Sequence, residues 1–142
     1  MKKLNIGCGE KIIEGYDGLD KQDTGQKWVC DILEFFTDFN LENLYDEVRA
    51  EHFLEHFDQD ELKIIFNGVY KILKTGGMFE IIVPSKEKDS AWVLTHKTFW
   101  TEETFKVFER KIFCDDYGVP LWKIQEVRTN GRKDIYCEMI KL

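Results

Sequence analysis

The sequence has little proline, no paired cysteine motif, no long apolar run and no basic cluster. Only Pro84 and Pro120 occur in 142 residues, and no repeat, low-complexity tract or linker divides the chain. A single domain over residues 1–142 is therefore expected, since a chain of that size buries roughly 68–70% of its unfolded surface. The four cysteines, Cys8, Cys30, Cys114 and Cys137, are scattered without a C-x-x-C pair. That spacing argues against a zinc knuckle and a disulfide framework. It suits a reducing cytosol, so a cytoplasmic location is expected. No apolar stretch approaches the ~20 residues of a membrane span. Met1-Lys2-Lys3 leads straight into an apolar strand without the h-region of a secretory signal, and none is expected. Twenty basic residues against 27 acidic ones give a net charge of −7. A duplex would be repelled at long range, so neither nucleic acid nor membrane is expected as a partner.

What is present is organised around Leu4-Asn5-Ile6-Gly7-Cys8-Gly9. A short apolar run stops at two glycines one residue apart. Glycine permits φ > 0 and leaves no Cβ in the way of a ligand. Eleven residues after Gly9, Asp20 ends a second short run, Tyr16–Asp20. A glycine loop after one strand and a carboxylate ending the next suit an adenosine-containing cofactor, whose ribose hydroxyls donate to the acid. The third glycine of the dinucleotide fingerprint is absent, since Ile12 stands there. The spacing is also shorter than the ~20 residues of that fingerprint, and a plain strand-ending turn explains the glycines equally well.

The patterning predicts strands at Lys3–Ile6, Tyr16–Asp20, Trp28–Cys30, Tyr45–Ala50, Met78–Val83, Val119–Arg128 and Arg132–Ile140. Apolar Leu62, Ile65, Phe66, Val69, Ile72 and Leu73 recur at helical spacing over Asp58–Lys74, with Asp58 as cap and Gly76-Gly77 as stop. A second helix is expected over Thr101–Ile112, with Phe105, Phe108 and Ile112 as its stripe, and a shorter one within Leu33–Leu44. Strands alternating with helices indicate a mostly parallel sheet. Thr129-Asn130-Gly131 points to a closing antiparallel hairpin, Asn-Gly being a strong turn signal. The links Gly7–Gly15 and Lys21–Lys27 are shorter than the dozen or more residues that a parallel crossover usually needs. Several strands alternate as half-exposed strands do, placing Lys3, Asn5, Glu47, Arg49 and Glu80 opposite the apolar residues. The expectation is two layers, with the helices mainly on one face. The bare face would be satisfied by charge pairs between strands or by a second copy, making a homodimer.

Four stretches occur in order: Leu4–Gly9, then Val29-Cys30-Asp31-Ile32-Leu33, then Tyr45–His56, then Ile72–Pro84. Together they resemble a class I S-adenosylmethionine-dependent methyltransferase of the small, type-11-like kind. The resemblance implies a Rossmann-like α/β sheet whose last strand lies antiparallel between the fifth and sixth. It implies S-adenosyl-L-methionine as cofactor, with Gly7, Cys8 and Gly9 under its methionine and ribose. Asp20 would take the ribose hydroxyls, Asp31 and Ile32 the adenine, and Glu51 and His52 the side of the methionine moiety. Two departures stand out: Thr75 replaces a frequent proline, and the first crossover helix is missing. Asp31 could instead cap the helix that follows it, and Cys8 reads as a packing residue.

The reaction would carry a methyl group to an O or N of a small-molecule, sugar or protein acceptor, and it requires no metal. Ser85–Trp100, beyond the fifth strand, is the natural acceptor side. It contains His96, the candidate for proton removal or acceptor orientation. Two other classes fit parts of the pattern. A cofactor-binding but inactive module fits the short first half. A zinc hydrolase fits His52-Phe53-Leu54-Glu55-His56, if its histidines stand at i and i+4 on a helix and His96 or a later acid adds a third ligand.

Overall fold

The structure, a computed structural model, describes residues 1–142. The strands are β1 (Lys3–Ile6), β2 (Tyr16–Asp20), β3 (Trp28–Val29), β4 (Tyr45–Glu51), β5 (Leu73–Pro84), β6 (Trp122–Thr129) and β7 (Asp134–Lys141). The helices are α1 (Ile32–Asp38), α2 (Gln59–Ile72), α3 (Glu102–Lys106) and α4 (Lys111–Tyr117). One sheet takes all seven strands in the order β3-β2-β1-β4-β5-β7-β6. Strands β1 to β5 pair in parallel, while β7 runs antiparallel between β5 and β6. The alternating α/β pattern and the closing hairpin thus appear as the sequence implied.

The strands' register explains the single core. Leu4 pairs with Val48 and Ile6 with Ala50; Val48 continues to Phe79 and Ala50 to Ile81. Across β7 the row ends on Met139 and Cys137. All of these are buried and join one apolar cluster with Phe35 of α1, Phe66 of α2, Phe105 of α3 and Cys114 of α4. Helix α2 contributes most, burying Leu62, Ile65, Phe66, Val69 and Ile72 along one stripe. Each such side chain is worth about 1.5–3 kcal/mol relative to exposure. Its start is fixed by a reciprocal cap: Asp58 Oδ1 accepts from Glu61 N at 2.9 Å, and Asp58 N donates to Glu61 Oε1 at 3.0 Å.

The other face of the sheet carries a row of charges. Lys3 meets Glu47 at 3.3 Å, the Tyr16 hydroxyl donates to Glu47, and Arg49 donates to both Glu80 and Glu51. The expectation that this face would stand open needs correcting. Asn5, Glu47 and Glu80 are all buried, at 4%, 8% and 8% exposure. No helix does this. The charges cover one another across strands, and the β1–β2 link lays Lys11, Ile12 and Ile13 beside Asn5 around a hollow of about 140 Å³. A link too short for a helix still roofs the polar strands.

Other boundaries also differ. Helix α2 stops at Ile72, where Leu73 N donates to the Val69 carbonyl, and Leu73 then pairs with Tyr45 as β5 begins. Gly76-Gly77 therefore lies inside the β5 span rather than ending the helix. The expected helix over Thr101–Ile112 is broken. After α3 comes a 3₁₀ turn, Val107–Glu109, and Arg110 is extended before α4 starts. Ile112 is consequently 80% exposed and off the stripe, and Cys114 is buried instead. The hairpin forms, but not as a two-residue Asn-Gly turn. Asn130 Oδ1 accepts from Arg132 N at 2.9 Å and Asp134 N at 3.0 Å, and Lys133 takes the positive φ.

Candidate functional site

The loops after β1, β2, β3 and β4 meet at the carboxyl edge of the sheet, where open α/β folds place ligands. The β1 loop turns back on β2, with Gly7 N and Cys8 N both donating to the Leu19 carbonyl, at 2.8 and 3.2 Å. Gly7 and Gly9 both have φ > 0, and their surroundings differ. A Cβ on Gly7 would lie 2.1 Å from the Phe53 ring, whereas a Cβ on Gly9 would meet nothing within 4 Å. Gly7 is needed for packing against Phe53, and Gly9 leaves its side of the loop open.

Asp20 ties the loop to β2. Its Oδ2 accepts from Gly9 N at 2.9 Å and its Oδ1 from Gln22 N at 3.0 Å. Each carboxylate oxygen has two lone pairs, so capacity for ribose hydroxyls remains. Asp31 caps α1, and both of its bonds fall on Oδ1: Leu33 N at 2.8 Å and Glu34 N at 3.4 Å. Its Oδ2 is left for another donor, so capping and adenine recognition are compatible. Asp20, Asp31 and Ile32 line one cavity of about 550 Å³, together with Phe53, His56 and Lys97. That volume lies within the range of small-molecule sites.

The remaining expected residues sit elsewhere. Cys8 is buried, its Sγ against Gly18. Burial, followed by the Asp20 charge, raises its thiol, as befits packing rather than nucleophilic chemistry. Glu51 belongs to the charged sheet face, accepting from Lys11 Nζ at 2.6 Å and Arg49 Nη2 at 3.0 Å. Burial alone would raise its carboxyl, but the bonds from Lys11 and Arg49 outweigh it and hold the group below the usual range. His52 has φ +49 and stands between Glu55 Oε2, at 3.7 Å, and Asp134 Oδ2, at 4.0 Å. The Glu55 carboxylate first, then Asp134 and Glu51, raises His52 despite its partial burial. Gly7, Cys8, Gly9, Glu51 and His52 are not among the residues lining the cavity.

His52 and His56 do not form an i, i+4 pair on an α-helix, because only a 3₁₀ turn, Leu54–His56, forms there. The zinc-hydrolase arrangement therefore fails at its premise. The chain instead brings His56 against His96, ring centroids 4.7 Å apart and nearly perpendicular. The His96 loop is pinned to that turn by Lys97 N and Thr98 N, which donate to the Glu55 carbonyl at 2.8 and 3.3 Å. The His96 Nδ1–H donates to the Ala91 carbonyl at 3.0 Å, which leaves Nε2 with its lone pair. A larger cavity, about 890 Å³, lies between α2 and the α3–α4 segment. It is lined by Phe66, Phe99, Trp100, Phe108 and Tyr117 among others, and it shares Lys97 with the first. Sequence reasoning missed Phe53 and Lys97. His56 appears in the sequence at the end of the Tyr45–His56 stretch and inside the hydrolase-like motif, with no cofactor-site role from either.

No family model and no curated protein matches the chain. Solved structures do. A SAM-dependent methyltransferase from Archaeoglobus fulgidus superposes with a TM-score of 0.70 at 19% identity, over 99% of this chain and 86% of that one. The chain has the class I methyltransferase fold. The Burkholderia thailandensis 1,6-didemethyltoxoflavin-N1-methyltransferase, solved with 1,6-didemethyltoxoflavin and S-adenosylhomocysteine, gives 0.71 at 14% identity, over 99% and 70%. The N-methyltransferase NodS of Bradyrhizobium japonicum, in complex with S-adenosylhomocysteine, gives 0.67 at 14%, over 99% and 77%.

Proposed function

We propose that the protein is an S-adenosylmethionine-dependent methyltransferase acting on an O or N of a small-molecule acceptor, with sugars and protein side chains as the other acceptor classes. The observation that carries this reading is the convergence of Asp20 and Asp31 on one cavity beside Gly9. Asp20 accepts from the ribose hydroxyls, Asp31 Oδ2 from the adenine amino group, and Ile32 packs on the ring. Gly9 N holds the Asp20 carboxylate in place beside the cavity. When bound, the cofactor would supply a sulfonium-activated methyl group, whose carbon the acceptor's lone pair would attack in line while the carbon–sulfur bond breaks and the thioether leaves. The chain's part is to place the acceptor, exclude water and take a proton. His96 Nε2 is the group assigned to that proton, and the aromatic cavity bordered by Lys97 is assigned to the acceptor. Its size favours a small molecule.

Isothermal calorimetry with S-adenosylmethionine and its demethylated product tests the proposal. Binding in the micromolar range, about −8 kcal/mol, is expected. Asp20→Ala is expected to weaken it by roughly 1–3 kcal/mol through lost charge-assisted bonds. No heat and no thermal shift with either ligand would end this reading. Binding without turnover over a broad acceptor panel would favour an inactive module instead, which the helix-less β1–β2 link also suits. All four cysteines are free, which supports a reducing, cytoplasmic setting. No helix is long and apolar enough to cross a membrane. Because the charged sheet face is paired internally, we take the single chain as the working unit. A two-fold dimer in light scattering would overturn that.

A further inference from the structure

The chain has three histidines, and all of them gather around one buried carboxylate. Glu55 is 1% exposed. Its Oε2 faces His52, whereas its Oε1 is fully buried and has no hydrogen-bond partner. A buried carboxylate oxygen without a partner is rare and calls for an explanation, an ion being one. His56 and His96 stand beside it. Glu55, His56 and His96 each offer a ligand atom, all within 4.8 Å of one another.

We propose that Glu55, His56 and His96 hold a divalent transition-metal ion, zinc by the chemistry of the set. Two imidazoles and one carboxylate form a donor set that zinc uses in open sites, leaving a fourth position for water or a ligand. Hard ions such as magnesium and calcium prefer all-oxygen sets. His96 is already oriented as a ligand. Its Nδ1–H is fixed on the Ala91 carbonyl, the outer bond that sets tautomer and ring direction in histidine–metal sites. The Lys97 and Thr98 amides on the Glu55 carbonyl hold the two halves of the site together. Ligand atoms at zinc bond lengths lie roughly 3.3 Å apart, so the site closes by rotation of the exposed His56 ring. His56 also lines the cofactor cavity, so the ion would sit in its wall. The ion takes the lone pair of His96 Nε2. Zinc therefore silences proton removal by His96 and acts as an inhibitory ligand, a consequence that rests on the role given to His96 above.

Chelator-treated protein titrated with Zn²⁺ against a chromophoric chelator, and separately with Co²⁺, tests the site. One equivalent is expected to bind, with cobalt bands of a four- or five-coordinate N,O site and no displacement by excess Mg²⁺. His56→Asn, an exposed change that leaves the core untouched, is expected to weaken affinity at least about 10–100-fold, since even outer partners of metal sites cost that much. Glu55→Gln should do the same, with circular dichroism reporting its fold. His52→Asn, outside the three-residue set, should cost less than His56→Asn. Absence of stoichiometric uptake, uptake unchanged by His56→Asn, or the reverse order of the two histidines overturns the site. Zinc should also lower turnover while cofactor heats stay constant. Unchanged turnover at saturating zinc overturns the inhibitory role. Absence of cofactor binding in both metal-free and zinc-loaded protein speaks against the methyltransferase reading and leaves the metal titration to be judged by itself.

Discussion

Replacing Arg49 by methionine tests how the helix-free face of the sheet is held. Arg49 donates to Glu80 through Nη1 and to Glu51 through Nη2, and only 18% of its side chain is exposed, against 11% for Glu80. Methionine keeps much of the stem and removes the charge. Glu51 retains Lys11 as a partner. Glu80 is left with Glu47 and Glu138, whose charges already oppose its ionisation. Removing one partner of a buried pair costs about 3–5 kcal/mol, and the residual exposure here argues for about 3. The loss should depend on pH in a definite direction. Burial first, then the neighbouring carboxylates, already raises Glu80 above the ordinary carboxylate value even with Arg49 present. Without Arg49 it rises further, so the folded state holds more protons than the unfolded one. Stability of the variant therefore climbs as pH falls through the folded value of Glu80 towards the unfolded value of about 4.3. Urea unfolding followed by tryptophan fluorescence, near neutrality and in mild acid, measures both effects. Arg49→Met combined with Glu80→Met should recover most of the loss, because an apolar pair of similar volume removes the stranded charge. A cost below about 1 kcal/mol, the value of an exposed pair, would refute the reasoning, as would a double variant no better than the single one.

Gly7→Ala should destabilise the fold by roughly 1–3 kcal/mol, since it combines positive φ with a clash on Phe53. Gly9→Ala should cost less in thermal melts, because nothing lies near the new Cβ; equal losses would contradict the separation of their roles. In metal-free protein with a competent acceptor, His96→Ala should lower turnover about 10²–10⁴-fold and leave cofactor affinity nearly unchanged. An unchanged rate would assign the ring to packing.

The strands β1 and β2 were legible to the residue because each is a short apolar alternation stopped by glycine or aspartate, and both signals are local. The hairpin was legible for the same reason. The break between α3 and α4 was not. Phe105, Phe108 and Ile112 satisfy helical spacing, and only the packing of Phe108 and Cys114 into the shared core shows that the chain turns extended at Arg110. The start of β5 was hidden likewise, since Leu73 continues the α2 stripe and simultaneously pairs with Tyr45.

The candidate site divides along the same line. Asp20 and Asp31 line one cavity, and Asp31 serves its local capping use with one oxygen only. The Gly7–Gly9 motif looks like one unit in the sequence, although contacts from distant residues give its glycines different work. Phe53, 46 positions later, fills the space over Gly7, and no spacing rule predicts that ring. The histidine cluster is the strongest instance. His52 and His56 look like a pair in the sequence, but the positive φ at His52 and the 3₁₀ turn after it separate them: His52 stands between Glu55 and Asp134, and His56 against His96. The partner that His56 meets, His96, arrives through backbone bonds from Lys97 and Thr98 to the Glu55 carbonyl, which involve no side-chain signal. Motif spacing marked Glu55 and its two histidines, and main-chain hydrogen bonding decided which imidazole His56 meets.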